Sequence, residues 1–355
     1  MELYVCIMAG GVGSRFWPRS KQKTPKQLLK IFSNNSMIFD TVKRLNGLVE
    51  NDKIYVVTNK IQKEKVEEEL PFIPKENIIA EPYGKNTAAC IGLASIIIEK
   101  RSKDAVVITL PADHLIKNEV EFKKILLEAA EFAYNKKGLV TIGIKPNRPE
   151  TGYGYIQINE EIVEQNIHRV LTFAEKPNLS TAERFLQSGD FLWNSGMFIW
   201  RVDTILNELK MYLNELYLGL QEISAVLNTD DYDAVLPQIY GKLKSISIDY
   251  GIMEKSNNVF LIKANFDWND VGSWEAVYEL SAKDNFGNAI TGEAYLESTS
   301  GSFVYNPKKF TAVIGLKDVI VIETEDALLV CNRKNAQEVK NVVDYLKMSN
   351  KTNLI

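Results

Sequence analysis

The chain has 355 residues, 45% of them hydrophobic and 25% charged, which predicts two globular domains, or three, and a core that needs no disulfide staples. Forty-two Lys and Arg against 46 Asp and Glu leave a net charge of −4, so the broad basic field that would attract nucleic acid is absent. The longest apolar run, Leu3–Ala9, is too short to span a bilayer and follows Glu2, not a basic segment, which argues against a membrane partner or a signal peptide. Cys6, Cys90 and Cys331 have neither metal-ligand nor disulfide spacing, and His114 and His168 are the only histidines. A reducing cytoplasm is expected, and a His-rich metal site or a Ser-His-Asp hydrolase is not.

The first third of the chain alternates strands with helices. Leu3–Met8 and Ile54–Thr58 read as buried strands, and Met37–Val49 as a helix with Ile38, Val42, Leu45 and Val49 on one face. Gln62–Leu70 reads as a solvated helix, and Asn86-Thr87 as the cap of a helix over Ala88–Glu99. The strand Ala105–Leu110, a helix over Glu119–Tyr134 and the strand Leu139–Gly143 follow. Strands this apolar need both faces covered, so the pattern predicts an α/β, Rossmann-like, three-layer domain with a mostly parallel sheet. From Thr151 the pattern changes to short strands at Tyr155–Ile158, Val170–Phe173 and Phe198–Trp200 around a helix at Thr181–Gln187. Helices fill Val202–Leu227, and the strand Val259–Asn265 leads to Asn269-Asp270-Val271-Gly272. After about Ser281, closely spaced strands at Glu293–Leu296, Ser302–Tyr305, Thr311–Ile314, Val319–Glu323 and Ala327–Val330 suggest a small β domain, closed by a helix at Asn335–Leu346. The expected division is 1–281 and 282–355.

The strongest chemical signal follows the first strand, in Ala9-Gly10-Gly11-Val12-Gly13-Ser14-Arg15-Phe16-Trp17-Pro18, and continues to Thr24-Pro25-Lys26-Gln27. Glycines there let backbone amides approach an anion. No acidic residue lies between Leu3 and Phe39, whereas that stretch holds Arg15, Arg19, Lys21, Lys23, Lys26 and Lys30. Positive charge gathered on a glycine loop in an acidic protein points to polyphosphate binding; the plain alternative is a tight turn in a solvated basic loop. Neither familiar phosphate motif fits. A dinucleotide fingerprint would need glycine where Phe16 stands, and no Gly-Lys-Ser/Thr follows at P-loop spacing.

Four further motifs stand in order: Lys85-Asn86-Thr87-Ala88, Pro111-Ala112-Asp113-His114, Glu175-Lys176-Pro177 and Trp193-Asn194-Ser195-Gly196-Met197-Phe198. With the glycine loop and Asn269-Asp270-Val271-Gly272 they resemble the sugar-nucleotidyltransferases, whose opening pattern is Gly-Gly-x-Gly-x-Arg followed by Pro-Lys. The likeness covers roughly residues 3–280, and is nearest to the branch that transfers GMP from GTP to mannose 1-phosphate. A weaker match at the C-terminus implies a short left-handed β-helix.

The resemblance implies roles for particular residues. Gly10, Gly11, Gly13, Arg15 and Lys26 would hold the triphosphate, while Lys85, Asn86 and Thr87 would meet the base and ribose. Asp113 and Asp270 would bind Mg²⁺, which needs only one or two carboxylates beside phosphate oxygens and water. The lesser alternative for Asp113 is a turn or cap residue, and Asp267 competes for the second position, although Asp270 precedes the glycine as in the family. Tyr153 and Gly154, in Glu150-Thr151-Gly152-Tyr153-Gly154-Tyr155, would approach the sugar, with packed tyrosines in a turn as the alternative. Glu175 and Asn194 would bind sugar hydroxyls and Lys176 the sugar phosphate. His114 and an exposed His168 receive no role, and Asp249-Tyr250-Gly251 receives no chemistry. A homodimer is expected. Longer relatives carry a cupin-type isomerase domain; with the chain ending at Ile355, isomerase activity is not expected.

The nucleophile in such a reaction is a phosphate already ionised near neutrality, so no general base is needed, in keeping with the scarcity of histidine. Two alternatives remain at this level. One is a relative using dTTP or UTP with glucose 1-phosphate. The other is a non-catalytic regulatory subunit, which would be free to lose Arg15, Lys26, Asp113 and Asp270.

Overall fold

The computed structural model describes residues 1–164 and 166–355. The chain opens with β1 (Leu3–Met8), α1 (Met37–Lys43), β2 (Ile54–Asn59), α2 (Lys63–Glu69), β3 (Ile78–Glu81) and α3 (Asn86–Glu99). Then come β4 (Val106–Pro111), the short β5 (Leu115–Ile116), α4 (Glu119–Lys136) and β6 (Leu139–Ile144). β7 (Tyr155–Glu164), β8 (Ile167–Ala174), α5 (Leu179–Ser188) and β9 (Phe191–Arg201) lead into α6 (Val202–Tyr212), α7 (Asn214–Ala225) and α8 (Tyr232–Lys242). β10 (Val259–Lys263), the short β11 (Trp268–Asn269) and α9 (Trp274–Leu280) precede the last strands. These are β12 (Ala289–Glu297), β13 (Phe303–Ile314), β14 (Val319–Glu323) and β15 (Leu328–Asn332), with α10 (Val339–Met348) behind them.

A nine-stranded sheet in the order β3-β2-β1-β4-β9-β6-β10-β8-β7 forms the centre. β1, β2, β3 and β4 pair in parallel, as do β6 and β10. β8 and β9 run against the other seven. The expected mostly parallel sheet is therefore present, interrupted near its middle by β9. That reversal has a use: Asn194, near the start of β9, pairs with Gly143 at the carboxyl end of β6, where the parallel strands deliver their loops. The strands are apolar throughout because helices cover both faces. Val5 and Ile7 of β1 pack with Phe122, Ile125 and Leu126 of α4. Tyr4 and Cys6, on the opposite face, pack with residues of α3, α6 and α7 such as Leu93, Ile205 and Leu220. Each such buried side chain is worth about 1.5–3 kcal/mol.

Some elements depart from expectation. α1 ends at Lys43 and continues as turns. β3 and α8 have no counterpart in the sequence reading; α8 holds Pro237 inside it. His168 is buried at 3% exposure, with Nδ1 3.0 Å from the Asn159 carbonyl, and so is not the exposed residue anticipated. Its place in β8, beside β10, accounts for this.

β12, β13 and β14 pair in parallel and β15 returns antiparallel. The two strands expected at Ser302–Tyr305 and Thr311–Ile314 are one continuous strand, β13, whose pairing with β12 shifts register between Gly292 and Ala294. The two regions share a core. Phe16, Trp17, Val271 and Trp274 pack with Ile320 and Ile322 of β14 and with Val339, Val343 and Leu346 of α10. Around it, Trp17 Nε1 donates to the Leu354 carbonyl at 2.9 Å, Trp274 Nε1 to the Trp17 carbonyl at 3.1 Å, and Arg333 Nε to Glu275 at 2.8 Å. Lys21 forms an ion pair with Asp326. The C-terminal region thus braces the back of the basic loop. Among the described residues no helix is long and apolar enough to cross a membrane.

Candidate active site

The glycine loop leaves β1 with its carbonyls held from behind. Buried Ser20 donates to the carbonyls of Val12 (2.9 Å) and Gly13 (2.7 Å), and buried Gln27 to those of Ala9 (2.6 Å) and Gly11 (3.0 Å). The Lys26 amide donates to Val12 at 3.2 Å. Among the described residues, the N–H groups of Gly10, Gly11, Val12 and Gly13 have no acceptor, which leaves an anion-ready row of donors. Gly13 has φ +71°, and a Cβ there would lie 2.5 Å from the Cβ of Lys26. Only glycine lets the loop close over Lys26.

Fifteen residues were singled out from the sequence. All except Arg15, Lys26 and Lys176 line one cleft of about 500 Å³. Arg15 and Lys26 line an adjoining cleft of about 340 Å³ that shares Gly13, Asp113 and Asp270 with the first. At their junction the Lys26 ammonium, 6% exposed, lies 2.8 Å from Asp113 Oδ2 and donates to the Asp270 carbonyl at 2.6 Å. Burial, the largest single influence, would raise the Asp113 pKa, but the Lys26 charge, together with His114 and the hydrogen bonds from Lys26 and the backbone, holds the carboxyl below its ordinary range. Asp270 Oδ1 accepts the Tyr153 hydroxyl at 2.5 Å, and Arg15 Nη1 donates to the Gly272 carbonyl at 3.1 Å. Burial, then the Asp270 charge, push the Tyr153 pKa up. Asp267 is exposed and outside both clefts.

Asp113 and Asp270 offer the hard oxygen donors that Mg²⁺ takes together with phosphate oxygens and water. Asp270 Oδ2 has no hydrogen-bond partner among the described residues. No group of three or more His, Cys, Asp or Glu suited to a metal occurs among them, so further ligands would have to come from substrate and water. His114 lies beside this pair but is engaged otherwise: its Nδ1 accepts the Trp268 indole N–H at 3.1 Å, and burial lowers its pKa to about 4.

The far end of the larger cleft departs from the capping expectation. Neither Asn86 nor Thr87 caps α3 through its side chain. Asn86, at φ +67°, accepts from the adjacent Thr87 amide at 2.8 Å, while the Thr87 hydroxyl accepts the Ile248 amide at 2.8 Å. Tertiary contact has taken both groups. Lys85 Nζ donates to the Gly241 carbonyl at 2.5 Å. Between these residues and the glycine loop sits Glu81, a cleft residue that the sequence reading missed. It is 5% exposed, and its Oε1 accepts the Tyr240 hydroxyl. Its Oε2 lies 3.0 Å from where a Cβ on Gly10 would stand. Burial raises its pKa to about 7 against the lowering effect of Tyr240.

On the opposite wall the Asn194 amide is fixed from three sides. Its Nδ2 donates to Asp249 at 2.8 Å, its Oδ1 accepts the Gly196 amide at 3.0 Å, and its backbone N–H donates to the Gly154 carbonyl at 2.8 Å. Asp249, unassigned from sequence, lies at the floor of the cleft. Burial and then the nearby Glu175 charge push its pKa up to about 6, against the hydrogen bond from Asn194. Lys176 is exposed, has φ +48°, and pairs with Glu175.

A nucleotidyl transferase family model matches residues 4–286, and a MannoseP isomerase/GMP-like beta-helix domain model matches residues 295–346. Fold and cleft together define a nucleotidyl transferase carrying a β-helix-like domain. The chain is 38% identical to a mannose-1-phosphate guanylyltransferase of Klebsiella pneumoniae, over 98% of this chain and 74% of that protein. It is 41% identical to a putative mannose-1-phosphate guanylyltransferase of Vibrio cholerae, over 97% and 74%. A solved structure from Thermus thermophilus, described as a mannose-1-phosphate geranyltransferase, superposes with a TM-score of 0.87 at 30% identity, covering 98% of this chain and all of that one. The chain belongs to the mannose-1-phosphate guanylyltransferase family.

Proposed function

We propose that the protein transfers GMP from GTP to α-D-mannose 1-phosphate, giving GDP-mannose and pyrophosphate. The observation that carries this reading is the contact of Lys26 with both Asp113 and Asp270, packed against Gly13 of a loop whose amides have no acceptor among the described residues. A mannose 1-phosphate oxygen attacks the α-phosphorus in line. The new P–O bond forms as the bond to the β-phosphate oxygen breaks, and pyrophosphate leaves with that electron pair. Two unit negative charges at about 4 Å repel by about 4 kcal/mol at an effective dielectric of roughly 20, so alignment and neutralisation are the work required. Arg15, Lys26 and the amides of Gly10, Gly11 and Gly13 take the triphosphate. Asp113 and Asp270 would hold Mg²⁺, which supplies further neutralisation there.

The base lies between Glu81 and the Lys85–Thr87 segment in this reading. Guanine presents N1–H and N2–H donors, and Glu81 Oε2 is an acceptor without a donor among the described residues; adenine offers an acceptor at N1 instead. The sugar lies along Tyr153, Gly154, Glu175, Asn194 and Asp249, with Lys176 reaching its phosphate. Residues 1–281 act as the catalytic domain and 282–355 as the β domain. We place the enzyme in the cytoplasm as a homodimer; Phe310, Ile314, Leu328 and Val330, exposed on the C-terminal sheet, support self-association. The deciding experiment measures pyrophosphate release for four nucleoside triphosphates against several sugar 1-phosphates. GTP with mannose 1-phosphate is the best pair; a preference for dTTP or UTP with glucose 1-phosphate overturns the reading.

A further inference from the structure

The smaller cleft is not built by the catalytic region alone. Gly13, Ser14, Arg15 and Lys26 line it together with Lys340, the second residue of α10. The packing of α10 fixes this position. Val339 and Val343 are buried in the core shared with Phe16 and Trp17, so the helix cannot move away without exposing that core, and Lys340 is held beside the loop that Phe16 anchors. Of the three cations lining the cleft, Lys26 is already matched by the Asp113 carboxylate. Among the described residues the Arg15 side chain has no ion pair and hydrogen-bonds the Gly272 carbonyl, and Lys340 is exposed with no ion pair or hydrogen bond. A lysine lining the same cleft as Gly13, one of the loop residues with a free amide, and as a second unmatched cation has a polyanion to meet.

We propose that Lys340 is a substrate-binding residue which the C-terminal domain contributes to the pyrophosphate end of the nucleotide site. The proposal rests on the nucleotidyl transfer reading above. Lys340 meets the β- and γ-phosphates as GTP binds and the same oxygens as they depart in pyrophosphate. It does not meet mannose 1-phosphate, which enters along the larger cleft, and Lys340 does not line that cleft.

The test uses the full chain with Lys340→Gln, Lys340→Arg and, as a control on the same helix, Lys347→Gln. Binding of inorganic pyrophosphate to the enzyme is measured by calorimetry, and KM is measured for GTP, for mannose 1-phosphate and, in the reverse direction, for pyrophosphate. Lys340→Gln is expected to weaken pyrophosphate binding and raise the KM for GTP and for pyrophosphate by roughly tenfold, with the KM for mannose 1-phosphate unchanged. Lys340→Arg restores most of the loss, and Lys347→Gln changes nothing. Pyrophosphate affinity within about twofold of the parent in Lys340→Gln overturns the proposal, as does an equal rise in the KM for mannose 1-phosphate. The calorimetry uses neither GTP nor sugar, so a wrong choice of base or sugar leaves this result readable: pyrophosphate binding that depends on Lys340, in an enzyme preferring another substrate pair, removes only the guanylyl reading.

Discussion

The phenol of Tyr153 donates to Oδ1 of Asp270 at 2.5 Å, joining a loop assigned to the sugar with a carboxylate assigned to the metal. Two tryptophans, Trp193 and Trp268, hold the phenol ring edge-on. The bond orients Asp270 while leaving its other oxygen open. Removing such a supporting hydrogen bond typically lowers metal affinity or activity by about 10–100-fold. Tyr153→Phe keeps the ring and is expected to shift the Mg²⁺ dependence of turnover to higher concentration by about that factor. An unchanged magnesium titration would reduce the hydroxyl to a packing detail.

Asp113→Asn and Asp270→Asn are each expected to remove about a hundredfold or more of the rate at saturating Mg²⁺ without unfolding the protein. Near-normal turnover in either variant would make that carboxylate structural. Rates beside circular dichroism spectra decide the matter.

Charge neutralisation without a base makes opposite demands on two neighbours. Lys26→Met deletes the ammonium but keeps much of the stem, and loss of such an electrostatic contact costs about 10²–10³ in kcat. Lys26→Arg recovers only part, since a planar fork does not replace a point charge at a crowded site. His114 accepts a hydrogen bond from Trp268 at Nδ1 and is neutral at pH 7. His114→Asn should therefore change kcat by less than about tenfold, whereas loss of a general base costs about 10²–10⁴. A folded His114→Asn variant as damaged as Lys26→Met contradicts the base-free mechanism.

Glu81 links recognition to stability. Burial raises its folded pKa to about 7 from 4.5, so the folded state holds this proton more tightly than the unfolded chain does. Its contribution favours folding below about pH 4.5 and is lost as pH rises from there towards 7, a change on the order of 3 kcal/mol. Glu81→Gln is expected to flatten this part of the stability profile in melts taken from pH 5 to 8. The same variant raises the KM for GTP by about 10–100-fold, the worth of one hydrogen bond to a charged group. A pH profile identical to that of the parent would place the titration elsewhere.

What the sequence disclosed was what neighbouring residues decide together. The glycine loop, the basic run behind it and the apolar strand before it are contiguous, and β1 and β14 stand where the pattern put them. The four-residue β3 carries too short a signal to register, and α8 was hidden by Pro237. Asn86 and Thr87 have the right chemistry for caps, but Thr87 is engaged by the amide of Ile248, a partner invisible along the chain. Glu81 has its meaning only through Tyr240, 159 residues away. Lys340 looks like any surface lysine until α10 is docked.

The bond from the Trp17 indole to the Leu354 carbonyl spans 337 residues, and it has a consequence for synthesis. The glycine loop leaves the ribosome among the first segments, yet the core that holds Phe16 and Trp17 is completed only by α10 and the residues after it. At about 5–20 residues per second, the loop waits roughly 20–70 s for its last partners. A nascent chain halted before α10 would carry every glycine of the loop and still lack the wall that packs behind it, so the loop gains its final support only late in synthesis.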